Sequence, residues 1–301
     1  MRVVLTGASG FVGQAFARAL IARGGSVIAV SRSPSQLPFK AEVCSWDSLS
    51  SIRDVDAIVH LAGESVAQRW TAEAKKRILS SRVDSLARLR EAAEKFGGRK
   101  PAAAEGGRKP TVLVSASAIG YYGDRGDDLL GEEASPGRDF LAQTCVAWER
   151  AADLLTPVVS RIVKLRFGMV LGKGGGALDK MLPPFRLGLG GRIGSGQQWV
   201  SWIELHDLVQ ILIRAIDSPQ MKGVYNAVSP NPVRNAEFAE ALAEVLGSKT
   251  RLPVPEFGIR LALGEMAEML LGSQRVSPES LTASGFTYQY PKVIEALRAC
   301  V

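Results

Sequence analysis

Histidine and cysteine are scarce in this sequence. The chain contains two histidines, His60 and His206, and three cysteines, Cys44, Cys145 and Cys300. The histidines stand too far apart in the sequence to suggest a metal site, and the cysteines have neither paired nor metal-like spacing. We therefore predict no bound metal and buried, reduced thiols, which are typical of a reducing compartment.

Long apolar runs are lacking as well. No run approaches the roughly 20 residues that span a bilayer, so we expect no membrane contact. With 301 residues, 46% hydrophobic and 22% charged, the chain can bury the core of one large domain or of a domain with an annex. Because Met1 leads directly into an apolar segment, we expect no signal sequence. We expect a cytoplasmic protein, or one of a plastid or other organelle if a presequence has been removed.

The net charge of +7 is partly concentrated in one segment. Residues 97–110, GGRKPAAAEGGRKP, carry four basic residues and one acidic residue, which leaves +4 for the rest of the chain. Because Gly, Pro and Ala fill this segment, we predict a flexible surface insertion between a helix and a strand. Docking of an anionic partner such as a nucleic acid is the alternative, although a solvated basic loop is the commoner outcome.

Short apolar runs rich in Val and Ile alternate with helical stretches through most of the chain. Predicted strands occupy residues 2–6, 26–32, 56–63, 111–117, 161–168 and 223–228, and predicted helices include residues 11–24 and 72–95. Near-continuous apolar strands that alternate with helices indicate a parallel sheet covered on both faces. The sequence therefore predicts an α/β fold with a doubly wound parallel sheet.

The C-terminal part has a different pattern. From Pro230 onward, two helical segments, residues 235–247 and 257–272, are separated by the proline-containing stretch TRLPVP. We predict a domain of residues 1–229 and a smaller, mainly helical lobe of residues 230–301. The cleft between such a sheet and such a lobe is a usual place for a small ligand.

A glycine pattern follows the first predicted strand. The stretch TGASGFVG has glycines at positions 7, 10 and 13. Gly7 permits a tight turn, Gly10 lets the backbone approach a pyrophosphate, and Gly13 lets the helix pack close to the strand. The amide groups and dipole of the helix N-terminus then favour an anion. Between a strand and a helix, this spacing predicts dinucleotide binding; a purely structural turn is the alternative.

The second predicted strand ends at Ser31 and Arg32. An acidic residue here would bind the ribose 2′-hydroxyl and repel a phosphate, whereas a hydroxyl and a guanidinium suit a 2′-phosphate. We therefore predict NADP rather than NAD as the cofactor. An arginine exposed on a loop is the alternative interpretation.

Further segments carry a resemblance. They are HLAGE (60–64), SSRVDS (80–85), ASAIGYYGD (116–124), RFGMVLGKGGGALDKMLPPFRLGLGGRIGSG (166–196) and SPNPVRNAEFA (229–239). With the glycine pattern, they resemble the extended short-chain dehydrogenase/reductase superfamily, and within it the atypical, sugar-nucleotide-epimerase-like branch. This branch includes cyanobacterial and plastid proteins linked to cell division and a human short-chain dehydrogenase relative. The resemblance covers essentially the whole chain except residues 97–110, and it implies a Rossmann fold.

The resemblance also implies a set of cofactor-binding residues. Gly7 would form the turn, Gly10, Phe11, Val12 and Gly13 would hold the pyrophosphate, Ser31 and Arg32 the 2′-phosphate, and Leu61 and Ala62 the adenosine side, with Arg82 and the backbone near Met169 completing the site. Leu61 and Ala62 also fit this role independently, because small residues at the end of a strand leave room for a ligand. Packing in the core is the alternative for both.

The usual catalytic pair of the superfamily is missing. Members that transfer hydride pair a tyrosine with a lysine four residues later, which lowers the pKa of the tyrosine. When the pattern is anchored on Glu149, the lysine position falls on Cys145 and the tyrosine position on Leu141. A shift by one residue offers Phe140 instead. None of these side chains replaces the pair, so any chemistry must use other groups.

Few other side chains are candidates for a catalytic or substrate-binding role. We predict Tyr121 and Tyr122, which follow a strand end, as candidate proton donors, and Glu64 as a candidate base or substrate-orienting group. Ser117 lies near the place of the usual serine, although a gapless match falls on Ala118. Packing is the alternative for the tyrosines, and solvation or capping for Glu64. Lys180, Arg186 and Trp199 are candidates for the lining of a substrate cleft, with surface solvation or core packing as alternatives.

Two functions remain open from the sequence. One is an NADP-dependent oxidoreductase or nucleotide-sugar epimerase of atypical kind, acting on an unidentified small molecule. The other is a non-catalytic NADP-binding regulator of cell or plastid division, with a protein partner. The intact cofactor pattern supports both, and the missing tyrosine and lysine favour the second.

Overall fold

A seven-stranded sheet forms the centre of the structure, a computed structural model that describes residues 1–31, 37–96, 110–248 and 253–301. The described strands are β1 (Arg2–Thr6), β2 (Ser26–Val30), β3 (Glu42–Cys44), β4 (Ala57–His60), β5 (Val112–Ala118), β6 (Leu129–Leu130), β7 (Ile162–Phe167), β8 (Met169–Leu171), β9 (Trp199–Val200), β10 (Trp202–Glu204), β11 (Gly223–Ala227), β12 (Val233–Arg234) and β13 (Arg275–Val276). The sheet order is β3-β2-β1-β4-β5-β7-β11, and all neighbours are parallel. This confirms the predicted doubly wound sheet of the Rossmann type.

Helices cover the sheet and make up much of the C-terminal region. The described α-helices are α1 (Phe11–Ala22), α2 (Ala72–Ala93), α3 (Phe140–Asp153), α4 (Gly176–Arg186), α5 (Leu205–Asp217), α6 (Asn235–Val245), α7 (Glu256–Leu263), α8 (Glu268–Leu271), α9 (Glu279–Ala283) and α10 (Val293–Cys300), with short 3-10 helices at Leu49–Ser51, Ile119–Tyr122 and Gly264–Ala267. Thr71 and Asp139 cap α2 and α3, because their side-chain oxygens accept the amide protons of Ala74 and Ala142.

Most predicted elements are present, but two predictions need comment. The single helix predicted over residues 257–272 is wrong. Gly264 has a φ of 60°, a left-handed conformation that an α-helix cannot contain, so α7 ends at Leu263 and α8 begins only at Glu268. The predicted flexible insertion at residues 97–110 lies, apart from its last residue, outside the described residues.

Successive side chains of the central strands enter apolar clusters on opposite faces of the sheet. Val3 belongs to a cluster with residues of α1 and α5, whereas Val4 belongs to a cluster with residues of α2 and α3. Both are completely buried, and each such side chain contributes roughly 1.5–3 kcal/mol to stability. The helices therefore hold the sheet from both sides and leave the ends of its strands for a site.

The C-terminal region packs against the segment between β7 and β11. Phe238 of α6 and Leu297 of α10 share an apolar cluster with Leu178 of α4 and Trp202 of β10. Because this cluster mixes residues from both sides of the predicted boundary, the division into residues 1–229 and 230–301 stays a prediction. None of the described helices combines the length and apolar character needed to cross a membrane.

A chain of hydrogen bonds joins the carboxyl ends of β1 and β4. His60 is fully buried, with Nδ1 2.7 Å from Thr6 Oγ1 and Nε2 3.2 Å from Ser85 Oγ. Ser85 donates its hydroxyl proton to the Arg82 carbonyl oxygen, and Thr6 Oγ1 accepts the amide proton of Ala62. With Ser85 donating to Arg82, its oxygen is left to accept from Nε2–H, and in the neutral form of His60 Nδ1 accepts from Thr6. Burial, together with the charge of Arg82, lowers the pKa of His60 to about 3.

We expect a His60→Gln variant to lose less stability on acidification than the wild type. The folded chain keeps His60 neutral down to about pH 3, whereas the unfolded chain takes up a proton near the ordinary pKa of 6.5. Between these values the unfolded state binds more protons, so the wild type loses up to about 1.4 kcal/mol of stability per pH unit as the pH falls. Urea denaturation at several pH values between about 7 and about 4.5 measures the two slopes.

The matched control for this experiment is His206→Gln. His206 is exposed at the start of α5, so this variant should keep the wild-type slope. Equal slopes for His60→Gln and the wild type would contradict the neutral, buried state of His60.

Candidate cofactor and substrate site

The turn between β1 and α1 presents uncapped amide groups. Gly7 has a φ of 74°, which glycine adopts without strain, and the N-cap residue Gly10 offers no side-chain acceptor. The amides of the first helical residues, Phe11, Val12 and Gly13, therefore lack an acceptor within the helix. Gly10 is exposed, so an anion can approach these amides from solvent.

The glycines of this turn differ in what they make possible. A Cβ atom at Gly13 would lie 2.1 Å from the Gly7 carbonyl oxygen, and one at Gly7 would lie 2.7 Å from the Leu61 carbonyl group. At Gly10, an added Cβ would meet only the Gly7 oxygen, at 3.2 Å. Gly7 and Gly13 are thus required by backbone packing, whereas Gly10 borders open space. Leu61 and Ala62 lie against the turn and are partly exposed.

A glycine-rich loop after β8 packs on the first residue of α1. Added Cβ atoms at Gly172 and Gly175 would lie 2.8 and 2.4 Å from the Phe11 ring. The absence of these side chains lets the loop approach the amide-presenting end of α1. The predicted cofactor residue Phe11 therefore contributes its amide to the turn, while its ring holds the loop in place.

Other predicted cofactor residues are distributed around this turn. The amide of Ser31, directly after β2, donates to the Cys44 carbonyl oxygen at 3.0 Å, and Arg32 lies outside the described residues. The side chain of Val12 packs against the apolar cluster of α1 and α5. The amide of Met169 donates to the Ser201 carbonyl oxygen at 2.9 Å. The predicted roles of these residues stay predictions.

Arg82 reaches from α2 to the segment that follows β4. Its Nη1 donates to the carbonyl oxygens of Ile78 at 2.8 Å and Glu64 at 3.1 Å, and a Cβ at the exposed Gly63 would lie 3.1 Å from its Cζ. The guanidinium carbon lies 4.9 Å from the centroid of the Trp148 ring. Burial lowers the pKa of Arg82 below its ordinary value. This geometry holds the Arg82 guanidinium beside the segment after β4 that contacts the turn between β1 and α1, here called the glycine turn (residues 7–13).

The positions of the missing catalytic pair face the turn after β5. A Cβ at Gly120 would lie 3.3 Å from Leu141 Cβ and 3.9 Å from Cys145 Sγ. Burial, then the nearby Glu149 carboxylate, raises the pKa of Cys145 to about 12. An aliphatic side chain and a neutral thiol therefore stand where a tyrosine and a lysine were sought.

A buried polar network lies at the carboxyl ends of β5, β7 and β11. Arg166 and Glu149 form a two-point ion pair, with Nε–Oε1 at 2.8 Å and Nη2–Oε2 at 2.9 Å. Ser117 donates to Glu149 Oε1 at 2.7 Å, and Arg166 Nη1 donates to the Tyr122 hydroxyl oxygen at 3.0 Å. Tyr122 in turn donates to Asn226 Oδ1 at 2.7 Å. All five side chains are buried, and the burial of Ser117 argues against its predicted contact with a substrate.

The charge of this network is fixed. Burial alone would lower the pKa of Arg166, but the Glu149 carboxylate raises it above the ordinary value. Arg166 therefore keeps its positive charge beside the turn after β5 that carries Tyr121 and Tyr122. Sequence analysis missed this role, although an arginine inside an apolar strand was a visible signal. The partner Asn226 had no comparable signal.

The two candidate tyrosines occupy different environments. Tyr122 is fully buried, its hydroxyl is engaged by Arg166 and Asn226, and burial raises its pKa. Tyr121 is partly exposed, and within the described ranges no group forms a hydrogen bond with its hydroxyl. The Arg166 guanidinium carbon lies 3.4 Å from the centroid of the Tyr121 ring. The structure favours Tyr121 over Tyr122 as a group that can reach a substrate.

The remaining candidates are more peripheral. The Glu64 carboxylate accepts a weak hydrogen bond from Gln68 at 3.3 Å and is partly exposed near the glycine turn. Lys180 and Arg186 are exposed on α4, whereas Trp199 is partly buried in β9. In the described part of the chain, no three His, Cys, Asp or Glu side chains gather as metal ligands would.

Comparison with known proteins places this geometry in a family. Residues 3–228 match the model of the NAD dependent epimerase/dehydratase family, and residues 254–300 match a domain of unknown function, DUF1731. A relative from Arabidopsis thaliana, named epimerase family protein SDR39U1 homolog, chloroplastic, is 39% identical over 99% of this chain and 86% of its own.

Two solved structures resemble the whole chain. The crystal structure of human epimerase family protein SDR39U1 with NADPH has a TM-score of 0.87 at 35% identity, covering 99% of this chain and 98% of the human one. A nucleoside-diphosphate sugar epimerase from Corynebacterium glutamicum has a TM-score of 0.77 at 34% identity, covering 99% of this chain and 57% of its own. These matches show that the chain belongs to the NAD dependent epimerase/dehydratase family.

Proposed function

We propose that this protein is an NADP(H)-dependent oxidoreductase or nucleotide-sugar epimerase that acts on a small molecule. The observation that carries the proposal is the uncapped N-terminus of α1 behind the exposed Gly10, bordered by Leu61 and Ala62. These backbone groups fit a pyrophosphate, because they offer amide donors and no side chain at the point of approach. The human relative is titled as a complex with NADPH.

The residues around the turn have separate tasks in this proposal. The amides of Phe11, Val12 and Gly13 bind the diphosphate, and Ser31 and Arg32 hold the 2′-phosphate, as the sequence predicts. The bound cofactor supplies hydride transfer.

In this proposal Tyr121 is the group that donates a proton to the substrate or accepts one from it. Among the described residues, none forms a hydrogen bond with the hydroxyl of this tyrosine at the strand end, and the fixed charge of Arg166 lies against its ring. In the usual superfamily arrangement the cation comes from a lysine on the helix that here carries Cys145. The buried Glu149–Arg166 pair provides it from β7 instead.

A non-catalytic NADP-binding regulator of cell or plastid division is the second candidate function. Leu141 and the neutral thiol of Cys145 favour it, since neither can exchange a proton at the pH of the cell. A protein partner belongs to this candidate. The name of the Arabidopsis relative is compatible with a plastid, whereas the cytoplasmic location expected from the sequence stays a prediction.

A Gly10→Val variant should fail to bind NADPH while staying folded. Two additional methyl groups would fill the space through which the diphosphate approaches, yet the added Cβ meets only one backbone atom, at 3.2 Å. Fluorescence titration with NADPH measures the affinity, and circular dichroism checks the fold. Gly13→Ala is the matched variant, because its Cβ would lie 2.1 Å from the Gly7 oxygen and should unfold the turn. NADPH affinity unchanged in Gly10→Val would refute the proposed phosphate site.

In this proposal Arg32 determines the preference for NADPH over NADH. An Arg32→Asp variant should lose most of its affinity for NADPH and gain relative affinity for NADH, because a carboxylate repels the 2′-phosphate and accepts the ribose hydroxyl proton. The same titration with both nucleotides measures the ratio. A ratio that does not move would show that Arg32 is a solvated loop residue.

A Tyr121→Phe variant should retain NADPH binding but lose turnover by roughly 10²–10⁴-fold, the usual contribution of a general acid or base. Tyr122→Phe is the contrasting variant. It removes a hydroxyl that pairs with both Arg166 and Asn226, so it should cost about 1–3 kcal/mol of stability and leave turnover of the folded protein nearly unchanged.

Turnover is measured by NADPH consumption with a panel of carbonyl compounds and by product analysis with nucleotide sugars. Full activity of Tyr121→Phe would eliminate this tyrosine as the acid or base. A silent panel, with NADPH bound, would contradict the catalytic proposal and support the regulator.

A further inference from the structure

The turn that carries the two candidate tyrosines is held at both ends by one side chain. Gln274 lies directly before β13, and its Nε2 donates to the carbonyl oxygens of Ile119 and Gly123, both at 3.1 Å. Ile119 begins the 3-10 helix that contains both tyrosines, and Gly123 is the residue after this helix. Residues 119–123 are here called the tyrosine turn. One amide group therefore spans the turn from its first residue to its last.

The partners of Gln274 determine which end of its amide faces the tyrosine turn. Both partners are carbonyl oxygens, which can only accept, so the group between them must be the NH2 and not Oε1. This NH2 has two hydrogens, one for each carbonyl oxygen. A side chain of similar length without a donor could form neither bond.

The backbone of Gln274 is itself held in place. Its amide donates to the Trp199 carbonyl oxygen at 3.3 Å, and its carbonyl oxygen accepts the Ser201 hydroxyl proton at 2.7 Å. The oxygen of the same hydroxyl accepts the amide proton of Val276 at 2.9 Å. Ser201 is buried and lies between β9 and β10. The side chain of Gln274 therefore reaches the tyrosine turn from a fixed base.

The middle of the tyrosine turn has two other contacts. The amide of Gly137 donates to the Tyr121 carbonyl oxygen at 2.9 Å. Val276 and Tyr122 are completely buried in one apolar cluster, and the side chains of Ile119 and Tyr121 pack against this cluster. The segment that begins with Gln274 thus contacts the turn through polar and apolar groups together.

The two tyrosines depend on Gln274 to different degrees. Tyr122 is held independently of it, because its hydroxyl bonds to both Arg166 and Asn226. In the described part of the chain, no group forms a hydrogen bond with the Tyr121 hydroxyl. The position of Tyr121 is therefore set by the backbone of the turn and by the Arg166 guanidinium, whose carbon lies 3.4 Å from the ring centroid.

We propose that Gln274 is a positioning residue: by holding both ends of the tyrosine turn, it keeps the Tyr121 ring against the Arg166 guanidinium. The inference rests on the proposed function, in which Tyr121 transfers the proton. A catalytic group must be held to within about 0.5 Å of its working position, and neighbours that never touch the substrate supply this precision. Gln274 lies in the part of the chain that matches a domain of unknown function, so this region takes part in building the site.

The experiment uses the whole chain labelled with 3-fluorotyrosine, in the presence of excess NADPH. Fluorine NMR reports the five tyrosines, and Tyr121→Phe and Tyr122→Phe identify the resonances of the turn. In Gln274→Met, whose side chain has similar length and no donor, the Tyr121 resonance should move by more than its line width, because the ring leaves the guanidinium. The Tyr122 resonance should stay in place.

Two spectra would overturn the inference. An unmoved Tyr121 resonance in folded Gln274→Met would show that Gln274 only attaches the C-terminal region to the turn. Equal shifts of the Tyr121 and Tyr122 resonances would show a general loss of structure. Gln274→Asn keeps the donor on a side chain one methylene shorter and should give a smaller shift of Tyr121. Where only this variant folds, an unmoved Tyr121 resonance in it overturns the inference.

The matched control is Gln143→Met. Gln143 is exposed on α3, and its Nε2 donates to one backbone carbonyl oxygen, that of Arg138, at 2.9 Å. The same substitution here should leave the Tyr121 resonance in place. A shift equal to that of Gln274→Met would show that the resonance responds to any lost amide bond, and the inference would fail.

Turnover separates this inference from the proposed function. On a substrate for which Tyr121→Phe loses activity, Gln274→Met should lower kcat by about 10–100-fold, because a misplacement of about 1 Å can cost about 10²-fold. Its affinity for NADPH should not change. An unchanged kcat on that substrate overturns the inference. Full activity of Tyr121→Phe refutes the proposed proton-transfer group instead, and the fluorine spectra still decide whether Gln274 positions the Tyr121 ring.

Discussion

The buried ion pair between Glu149 and Arg166 is the constraint on which the candidate site depends. It connects α3 to β7, and each partner also holds another element: Glu149 accepts from Ser117 of β5, and Arg166 donates to Tyr122 in the following turn. Such a pair adds little net stability compared with apolar packing, yet removal of one partner strands a buried charge at a cost of about 3–5 kcal/mol. The positions of both tyrosines therefore depend on this ion pair, and the loss of either Glu149 or Arg166 alone would destabilise the site.

The order of the sheet explains why distant segments meet at one place. The chain moves outward from β1 to β2 and β3, then returns to the other side of β1 with β4, β5, β7 and β11. Loops that leave the carboxyl ends on either side of β1 separate, and a crevice opens between them. Three segments follow strands at this edge: the turn between β1 and α1, the Leu61–Ala62 segment, and the turn that carries Tyr121 and Tyr122. The topology thus brings the phosphate-binding amides and the proposed proton donor to the same crevice.

Local patterns allowed the sequence to predict the sheet and the glycine turn, because both depend on residue spacing. Apolar strands between helices determine the sheet, and the need for missing side chains at Gly7 and Gly13 is a property of the backbone. The break at Gly264 was missed because the apolar spacing continues through it, while a positive φ interrupts the helix. The separation of Tyr121 from Tyr122 was also beyond sequence analysis, since adjacent residues of the same type differ here only through tertiary partners.

The contact between Phe11 and the loop of Gly172 and Gly175 has a consequence for how the chain tolerates change. The ring stands on the same residue whose amide begins α1, so the loop and the anion-facing turn share one support. A side chain added at Gly172 or Gly175 would push against that support, and the disturbance would reach the first helical turn although the altered residue touches no ligand. Sequence freedom in this loop is therefore limited by a neighbour more than a hundred positions earlier in the chain.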